Sequence, residues 1–137
     1  MNVLITGGAG YVGTELLAKL ALNKEISKIT IYDNLSKGHR SLFLGKKSPF
    51  LSKIEFVHGE ILDSRLLKKK LIDTDVLIHL AAMVTTPFAN TDPHFFEQVN
   101  HWGTAEVVYA AEESGVSKFI HLSSTAVYGT GKIYETV

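Results

Sequence analysis

The chain has 137 residues, enough for one domain with a core of its own. Hydrophobic residues make up 45% and charged residues 20%, and fourteen basic side chains balance fourteen acidic ones. That neutrality gives no electrostatic reason to expect nucleic acid or an anionic membrane as partner, and the lack of cysteine excludes disulfides and thiolate metal sites. Met1–Ile5 already reads as strand rather than as the charged start of a signal peptide, and no apolar run is long enough to span a membrane. A cytoplasmic location is the expectation.

Asn2–Thr6 is a short apolar run ending in Gly7-Gly8, read as the first strand. Tyr11–Leu22 follows as a helix, with Val12, Leu16, Leu17 and Leu20 on one face. Lys28–Tyr32 is rich in β-branched residues and predicts the second strand. Asp33–Lys53 reads as an irregular, solvated loop. Ile54–His58 is the third strand, Ser64–Lys70 a short helix and Val76–His79 the fourth strand. Asp92-Pro93 is a helix opening, a capping carboxylate with proline in the first turn. That helix is expected to run to Ser114 and stop at Gly115, with Phe95, Phe96 and Trp102 in the core or a helix–helix contact. Lys118–Leu122 is the fifth strand. Strand and helix alternate, which calls for a parallel sheet covered on both faces. Right-handed crossovers favour an α/β, doubly wound sheet in the order 3-2-1-4-5.

Residues 5–13 read I-T-G-G-A-G-Y-V-G, between the first strand and the first helix. Gly8, Gly10 and Gly13 satisfy G-x-G-x-x-G, and Gly7, Gly10 and Gly13 a spacing of three and three. A pyrophosphate approaching the backbone leaves no room for a Cβ at Gly10, and Gly13 permits tight packing of the helix. Asp33 ends the second strand 20 residues after Gly13, where a carboxylate can accept hydrogen bonds from both ribose hydroxyls of adenosine. It would repel a 2′-phosphate and favours NAD over NADP, with Lys37 and Arg40 nearby as positive counterweights.

The glycine turn, Asp33-Asn34-Leu35-Ser36 and the later motifs together resemble the extended short-chain dehydrogenase/reductases, and within them the NAD-dependent epimerase/dehydratase family. The D-N-L-S-K-G-H-R stretch is similar to UDP-glucose 4-epimerases in particular, and the resemblance covers essentially the whole chain. It implies a Rossmann-type domain that holds NAD. Its cofactor contacts would be Gly7, Gly10, Tyr11, Val12 and Gly13 at the turn, with Asp33, Asn34, Ser36 and Lys37 after the second strand. Gly59-Glu60-Ile61-Leu62-Asp63 stands where the family has G-D-x-x-D, so Glu60 would meet the adenine amino group beside Ile61. His79-Leu80-Ala81-Ala82 resembles H-x-A-A, with Leu80, Ala81 and Ala82 close to the cofactor and His79 packed within the strand. Asn100 begins an N-x-x-G-T string, in which the family's Asn braces the cofactor-side loops. Ser123–Gly129 resembles S-S-x-x-V-Y-G and places Ser124 at the catalytic serine or threonine, against the sugar hydroxyl being oxidised.

The family's chemistry also needs a Tyr-x-x-x-Lys pair on one helix face, where the lysine and the cofactor lower the tyrosine pKa so that it can act as a base. Tyr128 and Lys132 match the string, but Gly129 and Gly131 lie between them and make a poor helix. The family's pair lies further downstream, and the resemblance thus implies a chain truncated before the catalytic helix and the sugar-nucleotide region, with little turnover alone. A full relative would be roughly twice as long. Two readings follow: a nucleotide-diphosphate-sugar epimerase or dehydratase present as its cofactor-binding part, or a non-catalytic NAD(P)-binding sensor of the same fold. The helix from Asp92 to Ser114 resembles one used for dimerisation in the family, so a homodimer is a further expectation.

Overall fold

Why the strands adopt a two-sided sheet is visible in β1, Asn2–Thr6. Its side chains alternate, with Val3 and Ile5 entering one apolar cluster and Leu4 the other. A strand buried on both faces has to be apolar throughout, and this is how the run V-L-I reads. In the computed structural model, which describes residues 1–37, 51–84 and 92–129, β1 is the middle of a five-stranded sheet. β2 (Lys28–Asp33) and β3 (Ile54–His58) lie to one side, and β4 (Val76–His79) and β5 (Lys118–His121) to the other. All the pairings are parallel, and Val3 faces Ile29 on one neighbour and Val76 on the other. The order is β3-β2-β1-β4-β5, as the alternation of elements led one to expect.

Helix α1 (Tyr11–Ala21) covers one face, packing Leu17 and Ala21 on Val3, Ile5, Ile29 and Ile31. Leu16 and Leu20 pack at its edge, whereas Val12 is exposed, a departure from the expected apolar stripe. The opposite face is covered by α2 (Ser64–Leu71) and by a long helix. That helix has three parts: α3 (Pro93–Glu97), a π-helical segment (Gln98–Gly103) and α4 (Thr104–Ser114). Asp92 caps its start through a bond from Phe95 N, and Gly115 ends it with φ 72°, a left-handed turn that glycine adopts without cost from a Cβ.

The residues that this helix buries are Gly103, Val107, Ala110 and Ala111. The three aromatic side chains expected in the core or a helix–helix contact are not among them. Trp102 and Phe95 are exposed and Phe96 is only half-buried. Small side chains take the buried face, while two of the three aromatic ones stay exposed. At Gly103 a Cβ would stand 2.4 Å from Ile61 Cδ1, so the helix lies close on the segment that follows β3. Leu51–Lys53 and Thr125–Tyr128 are one-turn 3₁₀ helices that the hydrophobic pattern did not signal. No described helix is long and apolar enough to cross a membrane.

Candidate functional site

At the carboxyl ends of β1, β2 and β4 a cleft of about 240 Å³ opens. In parallel sheets of this order, the place where strand order reverses is where crevices form. Here that place lies between β1 and β4.

One wall is the glycine turn. Gly7 takes a left-handed φ of 67°, donates its N–H to Tyr32 O at 2.9 Å and accepts from Gly10 N at 3.1 Å. A Cβ there would lie 2.6 Å from Ala81 Cα and N. At Gly13 a Cβ would lie 2.4 Å from Gly8 O, so the helix rests directly on the turn. Gly10 precedes α1 with no side chain among the described residues capping the helix, and the first intrahelical amide bond of the turn is Thr14 N to Gly10 O. The amides of Tyr11, Val12 and Gly13 come before that bond, where helix geometry leaves N–H groups and a positive dipole for an anion. All three residues line the cleft.

Asp33 stands opposite with both carboxylate oxygens engaged. Oδ2 accepts from Ala9 N at 3.0 Å and Oδ1 from Leu35 N at 2.8 Å. Each oxygen keeps a second lone pair for a hydroxyl. Asp33 therefore ties the glycine turn to β2 besides lining the cleft, a role the sequence pattern did not reveal. Leu35 holds a φ of 56°, unusual for a residue with a branched side chain. Two successive side-chain turns keep it there, Leu35 N to Asp33 and Ser36 N to Asn34 Oδ1 at 3.0 Å. Ser36 and Lys37 are exposed at the rim; Arg40 lies outside the described residues.

Glu60 is exposed, and its carboxylate is held by its neighbours. Oε2 accepts from Asn34 Nδ2 at 2.6 Å and Oε1 from Ile61 N at 2.9 Å. Beneath it the Tyr32 hydroxyl donates to Glu60 O at 2.9 Å. Burial, reinforced by the negative charges of Asp63 and Glu60, pushes the Tyr32 phenol up to about 12.

Leu80, Ala81 and Ala82 form the far wall, continued by Met83 and Val84. Asn100 does not line the cleft but grips Met83 twice, Oδ1 accepting from Met83 N at 2.7 Å and Nδ2 donating to Met83 O at 2.9 Å. His79 is 1% exposed and makes hydrogen bonds to two threonines, which agrees with a packed strand histidine.

Every other residue expected at the cofactor, from Gly7 to Ala82, lines this one cleft. Ser124 does not. It is exposed, and its Oγ accepts from Ala126 N at 3.1 Å, capping the 3₁₀ turn. Tyr128 ends that turn exposed, and Gly129 at φ 66° breaks any helix that would carry Tyr128 towards Lys132. Lys132 lies outside the described residues. Lining residues that sequence reasoning missed include Met83, Val84, Phe95, Val99 and Leu122, which extend the apolar lining. Their only signal was apolarity beside a motif.

The profile of the NAD dependent epimerase/dehydratase family matches residues 3–136. The chain is 34% identical to UDP-glucose 4-epimerase of Mycolicibacterium smegmatis, over 99% of this chain and 43% of that protein. It is 33% identical to dTDP-glucose 4,6-dehydratase of Streptomyces antibioticus, over 95% of this chain and 39% of that one. Among solved structures it is similar to UDP-glucose 4-epimerase from Brucella ovis in complex with NAD. There the TM-score is 0.81 at 30% identity, over 97% of this chain and 38% of that chain. The chain thus spans well under half the length of these relatives.

Proposed function

The chain belongs to the NAD dependent epimerase/dehydratase family, and from that premise we propose that it is the cofactor-binding part of an enzyme acting on a nucleotide-diphosphate sugar. The observation that carries the reading is the cleft itself, with an uncapped helix N-terminus on one side and the Asp33 carboxylate on the other. The fit to a dinucleotide rests on close packing as well as charge: a Cβ at Gly7 would stand 2.6 Å from the Ala81 backbone, so only glycine lets the turn meet the far wall. The amides of Tyr11, Val12 and Gly13 would meet the pyrophosphate, and Asp33 the adenosine ribose. Glu60 and Ile61 would face the adenine, with Asn34, Ser36 and Lys37 at its edge. Leu80, Ala81 and Ala82 would form the opposite wall, held at Met83 by Asn100.

Bound NAD supplies a reversible hydride acceptor for a sugar carbon, in an epimerase or a dehydratase alike. Ser124 would hold the sugar hydroxyl that loses its proton. Because the one Tyr-x-x-x-Lys string in this sequence is interrupted by glycines, this chain alone is expected to bind cofactor without turning over sugar nucleotide. A cytoplasmic setting suits a cysteine-free chain of this kind, and a homodimer through the exposed face of α4 is tested by light scattering, with a clean monomer counting against it.

Calorimetry with NAD and NADP tests the central claim. NAD should bind more tightly. Asp33→Ala should weaken it by about 10- to 100-fold, the range for a hydrogen bond to a charged group. Equal affinity of the native chain for both dinucleotides would refute the role of Asp33.

One observation favours a non-catalytic sensor: Ser124 sits outside the cleft as a turn cap. A downstream helix bearing Tyr-x-x-x-Lys in the complete gene product decides for the enzyme, and its absence for the sensor.

A further inference from the structure

Behind the cleft wall, the His79 ring lies buried between β1 and α4 and stacks on His121 of β5 at 5.3 Å. Its hydrogen bonds have directions that chemistry dictates. The Asn100 carbonyl can only accept, so the Thr104 hydroxyl donates to it at 2.8 Å. With its one hydrogen so placed, Thr104 Oγ1 must accept from His79 Nε2 at 3.0 Å. Nε2 therefore carries the hydrogen of the neutral ring, and bare Nδ1 accepts from the Thr6 hydroxyl at 2.6 Å. Thr6 Oγ1 in turn faces Ala81 N–H at 3.5 Å, while the Thr6 carbonyl takes Leu80 N at 3.0 Å.

The chain of bonds thus ends on one side at the cleft wall and on the other at the residue that holds it. One end is Ala81, which abuts Gly7. The other is Asn100, whose side chain grips Met83. We propose that His79 is a positioning residue: its neutral ring, hydrogen on Nε2, joins Thr6 to Thr104 and so sets how the Ala81–Met83 wall stands against the glycine turn. That the wall faces a dinucleotide rests on the function proposed above; the relay itself does not.

A protonated ring would present a hydrogen to Thr6 as well, leaving the Thr6 hydroxyl hydrogen without its acceptor. Burial, and the nearby charge of His121, lower the His79 pKa to about 4 and hold the ring neutral. Among the described residues, β1 and α4 present the two threonine hydroxyls to the ring and β5 presents His121 and Phe119.

The test is ¹⁵N NMR of the histidine rings in the native chain. His79 should show a protonated Nε2 and an unprotonated Nδ1, unchanged from about pH 8 to about pH 5. The opposite tautomer, or ordinary titration near pH 6.5, overturns the relay. Thr104→Val should displace the amide signals of Ala81 and Met83 and weaken NAD binding by about 10-fold, whereas Thr104→Ser should restore both. Undisturbed Ala81 and Met83 signals in Thr104→Val also overturn it. A native chain with the expected tautomer and amide shifts that binds no NAD keeps the relay and removes the cofactor reading instead.

Discussion

Two turns follow strands of this sheet, and they are held very differently. After β1, the glycine turn is tied on every side: Gly7 N to Tyr32 O, Ala9 N to Asp33, Gly10 N to Gly7 O, and Gly13 pressed on Gly8. After β5, the Thr125–Tyr128 turn is bonded, among the described residues, only to itself, through Ala126 N to Ser124 Oγ, Val127 N to Ser124 O and Gly129 N to Ala126 O. Every residue from Lys118 to Gly129 is exposed. Both turns carry sequence signatures of similar clarity. The difference teaches that a signature becomes a site only where separate elements converge on it. β1, β2, β4 and α1 converge on the first, and no described element converges on the second.

The largest break in that contrast should come from Gly13→Ala. Alanine favours helix over glycine by about 1 kcal/mol, so propensity alone predicts stabilisation. Against it stands a Cβ 2.4 Å from Gly8 O and 2.6 Å from Gly8 Cα, backbone atoms that no rotamer change can move. Overpacking should win, with a net loss of about 2–3 kcal/mol in urea unfolding and loss of NAD binding. A neutral or stabilised variant would mean that the first turn is no more constrained than the second.

An acid titration probes the histidine that lies between the two regions. The His79 pKa is about 4 in the fold against an ordinary value of 6.5. The unfolded chain therefore takes up the proton first. The stability this group contributes is complete above pH 6.5 and is lost as pH falls towards 4. The loss approaches roughly 3 kcal/mol, since each tenfold weakening of proton affinity on folding is worth about 1.4 kcal/mol. Urea midpoints across that window should fall in the native protein and stay flatter in His79→Gln. Parallel curves for the two would detach the buried ring from the stability of the sheet.

Much of this was legible beforehand, and what was not has physical causes. Alternating strand and helix signals dictated the parallel sheet, and handedness its order. Glycine spacing beside a strand marked the cleft, because only a bare backbone permits the approach of Gly7 to Ala81. The double duty of Asp33 was hidden, since its bond to Ala9 joins two strand ends that are remote in sequence. The exposure of Trp102 and Phe95 was hidden too. Apolarity says that a helix has a buried face, but here Gly103, Ala110 and Ala111 take it. The π-helical segment around Asn100 left no mark in the hydrophobic pattern.

A smaller effect should sharpen the account of the first turn. Tyr32 supplies both a carbonyl to Gly7 and a buried hydroxyl to Glu60 O. Tyr32→Phe removes only the hydroxyl and leaves one acceptor without its partner. The expected cost is about 1 kcal/mol. The native protein should also lose stability in alkali. Its phenol ionises near 12 when folded and near 10 when unfolded, so the contribution is complete below pH 10 and falls away towards 12. The variant should lack that part of the alkaline loss, and an identical alkaline curve would place the phenol outside the core.

The smallest effect belongs to the second turn and is the most discriminating. Ser124→Ala removes a side-chain bond that closes the 3₁₀ turn, Ala126 N to Ser124 Oγ at 3.1 Å. A cap on a long helix is worth about 1 kcal/mol. Here the turn is a single exposed one with solvent ready to replace the hydroxyl, so the loss should be about 0.5 kcal/mol or less. NAD affinity should not change, because Ser124 lies outside the cleft lining. A cap that proved worth several times more, or a variant that bound NAD poorly, would show that the second turn is also held by convergence. The contrast between the turns would then describe the isolated chain's geometry but not its energetics.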